Sequence, residues 1–206
     1  MTAGFFYGGM WFRLNHEVYE PADDSFMIAE NMEISPGEEV LEIGTGCGFL
    51  AIIAAKRGAR VVATDINQAA IQCSRENAAM HGVEKNVDLR LGDLFDPVLE
   101  ERFDLIIFNP PYLPSTLEER RGGRLELSWD GGDDGRRVVD RFIEGLPAHL
   151  KKRGRSLFVQ SSLTGNEKTL ELIEKNGLRG EIVARRKFFF EEIVLIRCET
   201  PDTRKL

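Results

Sequence analysis

Cysteine and histidine are scarce in this chain of 206 residues, with three of each. Cys47, Cys73 and Cys198 form no pair at metal-binding spacing, and a disulfide scaffold needs many more; so few thiols, odd in number, fit a reduced intracellular compartment. His16, His81 and His149 are equally scattered, so no zinc signature exists and no metal site is expected. Basic residues are also in deficit. Lys and Arg number 27 against 34 Asp and Glu, a formal net charge of −7. A chain whose main task is to grip bare phosphate backbone needs a basic face, so direct nucleic-acid binding is not expected. Long apolar runs are missing too. The segment from Gly4 to Phe12 falls far short of the roughly 20 residues that cross a bilayer, and no basic leader or small-residue cleavage site marks it for export. The expectation is a cytoplasmic protein, off the membrane, whose aromatic N-terminus packs on its own core or serves an interface.

What is present reads as a folded globule: 42% of residues are hydrophobic and 30% charged, ordinary for a soluble domain. No repeat, low-complexity tract or linker interrupts the chain, so a single domain over 1–206 is expected. Residues 1–35 form an N-terminal extension that includes a helix near Ala22 to Met32. Pro21 and the acids Asp23 and Asp24 suit that helix start. From Val40 onward short apolar runs alternate with amphipathic stretches. Strands are expected at Glu39–Ile43, Arg60–Asp65, Val87–Leu91, Asp104–Phe108 and Ser156–Gln160. Helices are expected at Phe49–Lys56, Asn67–His81, Arg136–His149 and Glu167–Lys175. Two last strands near Glu181–Ala184 and Glu192–Ile196 lack a helix between them. The pattern is a doubly wound α/β sheet, mostly parallel, ending in an antiparallel hairpin. The basic run Lys151-Lys152-Arg153-Gly154-Arg155 reads as a helix C-terminus complementing its dipole rather than as a phosphate patch.

The chemistry gathers at the carboxyl ends of the strands, where ligands bind in such sheets. Glu42-Ile43-Gly44-Thr45-Gly46-Cys47-Gly48 follows the first of them. Its spacing is E-x-G-x-G-x-G, not the dinucleotide fingerprint G-x-G-x-x-G, whose third glycine would fall at Phe49. Asp65, twenty-one residues after Gly44, is placed to accept hydrogen bonds from ribose hydroxyls. Gly92-Asp93-Leu94 ends the third strand, where a carboxylate can bond an amino group. Asn109-Pro110-Pro111-Tyr112 ends the fourth. Two prolines fix that backbone, so the Asn side chain and the Pro110 carbonyl can capture both N–H bonds of a planar amino group, with an aromatic ring stacked beside it. The tetrapeptide alone does not separate glutamine from adenine or guanine.

The glycine loop resembles the first motif of Rossmann-like class I methyltransferases, and with the tetrapeptide it resembles their amino-group branch. Val18-Tyr19-Glu20-Pro21-Ala22-Asp23-Asp24-Ser25-Phe26 is similar to the Y-E-P-A-E-D-T-F segment of HemK-like release-factor glutamine N5-methyltransferases. Trp129-Asp130-Gly131-Gly132-Asp133-Asp134-Gly135-Arg136 is similar to the W-x-G-G-x-x-G-R segment of their archaeal and eukaryotic branch. The resemblance implies a seven-stranded sheet and transfer of a methyl group from S-adenosylmethionine to the glutamine of a Gly-Gly-Gln loop in a class 1 peptide release factor. By it, Tyr19, Ser25, Glu42, Gly44, Gly46, Asp65, Asp93, Leu94 and Asn109 contact the cofactor. Asn109, Pro110, Pro111 and Tyr112 hold the glutamine, with Asn109, Pro110 and Tyr112 catalytic and no metal required. It also implies a small zinc-binding activator protein paired with an edge strand at 87–91. The glycine- and charge-rich segment 113–135 leaves the site directly and, at that length, reads as a substrate lid, the alternative being a solvated loop. A polar, glycine-containing turn is expected before the last strand, and Lys187-Phe188-Phe189-Phe190-Glu191 departs from it. The alternatives are a nucleic-acid amino methyltransferase, acting on adenine N6 or guanine N2, and a non-catalytic scaffold that binds the cofactor.

Overall fold

A computed structural model describes residues 3–112, 134–189 and 191–201. The chain opens with two short antiparallel strands, β1 (Gly4–Tyr7) and β2 (Met10–Arg13), followed by α1 (Asp23–Asn31). Then come β3 (Glu39–Ile43), α2 (Phe49–Lys56), β4 (Arg60–Asp65), α3 (Gln68–Met80), β5 (Val87–Leu91) and β6 (Phe103–Phe108). The final part holds α4 (Arg137–His149), β7 (Leu150–Ser161), α5 (Asn166–Lys175), β8 (Arg179–Lys187) and β9 (Glu192–Glu199). Seven strands form one sheet in the order β5-β4-β3-β6-β7-β9-β8. The pairs from β5 through β7 are parallel, and β9 runs antiparallel to both β7 and β8. The seven-stranded, mostly parallel sheet with its antiparallel end is as expected.

Strand composition follows from burial on both faces. Along β6, Leu105 and Ile107 join one core, and Ile106 and Phe108 join the other. The first core is completed by Met27, Ile28 and Ala29 of α1, the α2 residues Phe49 to Ala55, and Ala70, Cys73 and Ala78 of α3. The second takes Val139, Phe142, Ile143 and Leu146 from α4 and Ile173 from α5. A strand covered by helices on both sides has no polar face to show, and so it reads as a continuous apolar run.

The aromatic N-terminus packs on the protein's own core, one of the two expectations for it, and one sequence reading is corrected. The apolar N-terminus is the β1–β2 hairpin, which packs Phe12 and Phe5 against Phe49 of α2, with ring centroids 5.3 and 5.5 Å away. Phe6 alone of these rings stays in water, 72% exposed. The basic run at 151–155 is not a helix end. The helix stops at His149 and the run lies within β7, where Lys151 pairs with Glu39 at 2.6 Å and Asp104 at 2.8 Å, and Arg155 pairs with Glu38 at 2.9 Å. Neighbouring carboxylates thus neutralise the cations that a strand would otherwise repel. The turn after β8 is closed by the Phe188 N–H donating to the Glu191 carbonyl at 2.8 Å. Among the described residues, no helix is long and apolar enough to cross a membrane, and no group of three or more His, Cys, Asp or Glu is gathered to hold a metal.

Candidate active site

The chain runs β3-β4-β5 toward one edge, then returns to start β6 on the other side of β3. Loops leaving the carboxyl ends of β3 and β6 therefore part and leave a crevice between them. A cavity of about 300 Å3 fills it, lined by the glycine loop from β3, Asp65 to Asn67 after β4, Gly92 to Leu94 after β5 and Asn109 to Tyr112 after β6. Every cofactor and substrate residue expected from the sequence lines this one space.

The glycine loop is built for close approach. Gly44, Gly46 and Gly48 all have positive φ, at +66°, +57° and +83°. A Cβ on Gly48 would stand 2.8 Å from Ser74 Oγ, so helix α3 packs where any other side chain would sit. Glu42 is buried below the loop, and its Oε2 accepts from Thr45 Oγ1 at 2.6 Å and the Ala51 N–H at 3.0 Å. Burial pushes the Glu42 carboxyl up to about 8. Asp65 accepts from the Gly46 N–H at 2.9 Å through one oxygen and the Asn67 N–H at 2.8 Å through the other. Burial raises its pKa, and these N–H bonds oppose that. A carboxylate can accept about four bonds, so Asp65 keeps capacity for two ligand hydroxyls. Asp93 is held from outside by Arg141 Nη2 at 2.7 Å. Leu94 beside it adopts φ +44°, a costly conformation for a residue with a side chain.

At the other end of the cavity the polar groups form one chain of hydrogen bonds. Asn109 Nδ2 donates to Ser25 Oγ at 3.1 Å. Ser25 donates its hydroxyl and its backbone N–H to Asp24 Oδ1, at 3.1 and 2.6 Å. Asp24 Oδ2 accepts the Tyr112 hydroxyl at 3.0 Å and the Tyr19 hydroxyl at 3.1 Å. Burial, and then the charge of Asp24, raise both phenol pKa values, so both tyrosines remain donors. One atom is left over. Asn109 Oδ1 is buried and has no partner. A buried carbonyl without a donor costs energy until something supplies an N–H.

Residues 21–120 match the methyltransferase small domain family. Over 191 residues the chain is 43% identical to a Methanocaldococcus jannaschii protein provisionally named a protein N5-glutamine methyltransferase, covering 92% of this chain and 95% of that one. It is 34% identical over 192 residues to human methyltransferase HEMK2, covering 88% and 89%. The chain belongs to the protein N5-glutamine methyltransferase family. Among solved structures, the methyltransferase superposes with a TM-score of 0.70 and 25% identity on a chain of the E. cuniculi Mtq2–Trm112 complex, described as responsible for methylating the eRF1 termination factor. The alignment covers 90% of this chain and 99% of that one.

Membership implies S-adenosylmethionine as methyl donor, and the cavity fits it: a stiff glycine cradle, an acceptor at Asp65 with spare capacity, and a second carboxylate at Asp93. The cavity is also lined by residues that the sequence did not place in the site. Asp24 reads as a helix-start acid, yet it is 6% exposed and anchors Ser25, Tyr19 and Tyr112; its place next to Ser25 was the available signal. Arg137, Val138 and Arg141 line the cavity from the first turns of α4, and only the chain's return over the sheet brings them there. Most of the expected lid, 113–133, and the Trp129 to Asp133 part of its motif lie outside the described residues.

Proposed function

We propose that the enzyme transfers the methyl group of S-adenosylmethionine to the side-chain nitrogen of glutamine in the Gly-Gly-Gln loop of a class 1 peptide release factor. The unpartnered Oδ1 of Asn109 carries this reading. It is a buried acceptor in want of an N–H, fixed by Ser25 and flanked by the ring of Tyr112. A glutamine amide has two N–H bonds, which Asn109 Oδ1 and the Pro110 carbonyl receive, while Pro111 stiffens the turn and Tyr112 stacks on the amide plane. Drawing on those N–H bonds returns lone-pair density to a nitrogen otherwise delocalised into its carbonyl. When bound, the donor supplies a sulfonium methyl reactive enough to need no metal. Asp65 receives the ribose hydroxyls, Asp93 the adenine amino group, and Gly44 and Gly46 pass close to the amino-acid part. Ser25, Tyr19 and Glu42 act one step back: Ser25 through Asn109, Tyr19 through Asp24, Glu42 through Thr45 and Ala51. The amide nitrogen would gain positive charge as it takes the methyl group and would then release one proton, leaving a neutral N-methyl amide.

The edge of the sheet at 87–91 is the proposed seat of a small zinc-binding activator. It is a terminal strand, with Leu91 52% exposed and Leu99 beyond it 75% exposed, and an unpaired edge next to apolar side chains invites strand addition. The Mtq2–Trm112 neighbour supports a two-chain enzyme of this kind. We assign the enzyme to the cytoplasm, where termination factors work. The test is labelled methyl transfer to purified release factor with its Gly-Gly-Gln glutamine present or replaced, beside tRNA and DNA. Label on the factor that disappears with the glutamine supports the reading; label on nucleic acid alone overturns it.

A further inference from the structure

A second, more open cavity of about 370 Å3 lies beside the first, lined among others by Tyr19, Phe26, Tyr112, Phe188, Glu191 and Ile193. Tyr19, Asp24 and Tyr112 line both cavities, so these three side chains are the partition between them. We infer that this second cavity, with the aromatic turn between β8 and β9, seats the substrate polypeptide through an apolar side chain close in sequence to the target glutamine. The inference rests on the proposal that Asn109, Pro110 and Tyr112 hold the glutamine amide.

Continuity gives the occupant. A polypeptide that delivers a side chain to Tyr112 from the side of the second cavity carries its main chain across the rim that Tyr112 shares with it. An extended chain advances about 3.3 Å per residue, so residues within a few positions of the glutamine reach that space. Chemistry gives its character. The carboxylates of the second cavity are already engaged: Asp24 by Ser25 and the two tyrosines, Asp23 by Arg186 at 2.6 Å, and Glu191 by the Ser161 hydroxyl at 2.5 Å. Beside these tethered carboxylates the cavity offers an incoming group ring and aliphatic surface from Phe26, Tyr112, Phe188 and Ile193.

The turn supports the same reading. Phe188 is 44% exposed and Phe189 is 90% exposed, where a hairpin turn is ordinarily satisfied by polar residues or glycine. The turn is not loose: the Phe188 N–H bonds the Glu191 carbonyl at 2.8 Å, and Arg185 pairs with Glu192 at 2.6 Å just before it. Rings kept in water on a braced hairpin lose little conformational freedom when a partner covers them, which is what a contact surface needs.

The test uses the full chain, S-adenosylmethionine and intact release factor, with the variants Phe188→Ser and Phe189→Ser. KM for the factor should rise about tenfold in Phe188→Ser, as for an aromatic residue that anchors an interface, and should rise in Phe189→Ser too, while donor Kd and Tm stay unchanged. Phe189 is so exposed that its substitution leaves the fold intact even if Phe188→Ser does not fold. Replacing apolar residues of the factor within five positions of its glutamine should raise KM for the unaltered enzyme but add little in Phe188→Ser. Unaltered KM in both serine variants overturns the inference, as does coupling of Phe188 to charged rather than apolar positions of the factor. Either result leaves glutamine methylation standing; only failure of the unaltered enzyme to label that glutamine removes the reading beneath.

Discussion

The hydroxyl of Ser25 decides which end of the Asn109 amide faces the substrate, and its removal gives the most direct test of the site. Ser25 sends its proton to Asp24 Oδ1 at 3.1 Å, so the lone pairs of Oγ face Asn109. Only the Nδ2 end can meet them, and it does so at 3.1 Å. Turning the amide over would lose that bond and set two oxygens against each other. A net hydrogen bond contributes about 1 kcal/mol, and the avoided oxygen–oxygen contact about as much again, so Ser25 favours the working orientation by about 2 kcal/mol. In Ser25→Ala that preference disappears, so the working orientation drops from about 97% to about half of the molecules and kcat/KM for methyl transfer should fall about twofold from this cause alone. Initial rates of labelled transfer, with factor and donor varied in turn, measure it; calorimetry gives donor affinity, expected to stay the same, because no bond to the donor is being removed. Ser25→Thr restores the hydroxyl and should recover most of the rate. A loss of donor affinity with kcat intact would refute the reasoning and make Ser25 a donor ligand instead.

Three further outcomes are expected. Asn109→Ala should lower turnover by at least about 10³-fold, the scale of losing a fixed group that meets developing charge, with calorimetry showing the donor still bound. Glu42, raised by burial, favours folding while it is protonated, so its contribution to stability is full below its ordinary value of 4.5 and is lost as pH rises toward about 8. Urea midpoints across that window should fall for the unaltered protein and stay flatter for Glu42→Gln. Arg136 is buried and donates to the Thr164 carbonyl at 2.8 Å, to Thr169 Oγ1 at 2.8 Å and to Asp140 at 2.6 Å. Arg136→Met strands those acceptors and should cost about 3 kcal/mol, lowering Tm by roughly 9 °C at this chain length.

The sheet strands were legible from short-range pattern: the central β3 and β6 read as apolar runs, the edge strand β5 as a strict apolar–polar alternation, and β3, β4 and β5 lie at the residues expected while β6 differs by one. The start of β7 was hidden. A run of Lys and Arg reads poorly as a strand taken alone, and Glu38, Glu39 and Asp104 from neighbouring segments pair with two of its members, Lys151 and Arg155. The N-terminal hairpin was hidden for a related reason: Gly8 and Gly9 mark a turn, but four-residue strands carry too few alternations to be recognised. In the site, glycines and the tetrapeptide announce themselves through backbone chemistry, which is local. Asp24 does not, because the Tyr112 it meets is eighty-eight positions away.

Asn77 of α3, fully buried, touches both ends of the molecule's construction. Its Oδ1 accepts the Arg13 N–H at 2.9 Å, and its Nδ2 donates to the Arg13 carbonyl at 2.9 Å and the Cys47 carbonyl at 2.8 Å. One side chain thus ties the end of β2 to the middle of the glycine loop. For anyone trimming or tagging the chain, residues 4–14 are therefore part of the donor pocket's scaffolding rather than a dispensable leader. A shortened protein would retain every residue that lines the cavity, yet lose part of the bracing that keeps its glycine loop in shape.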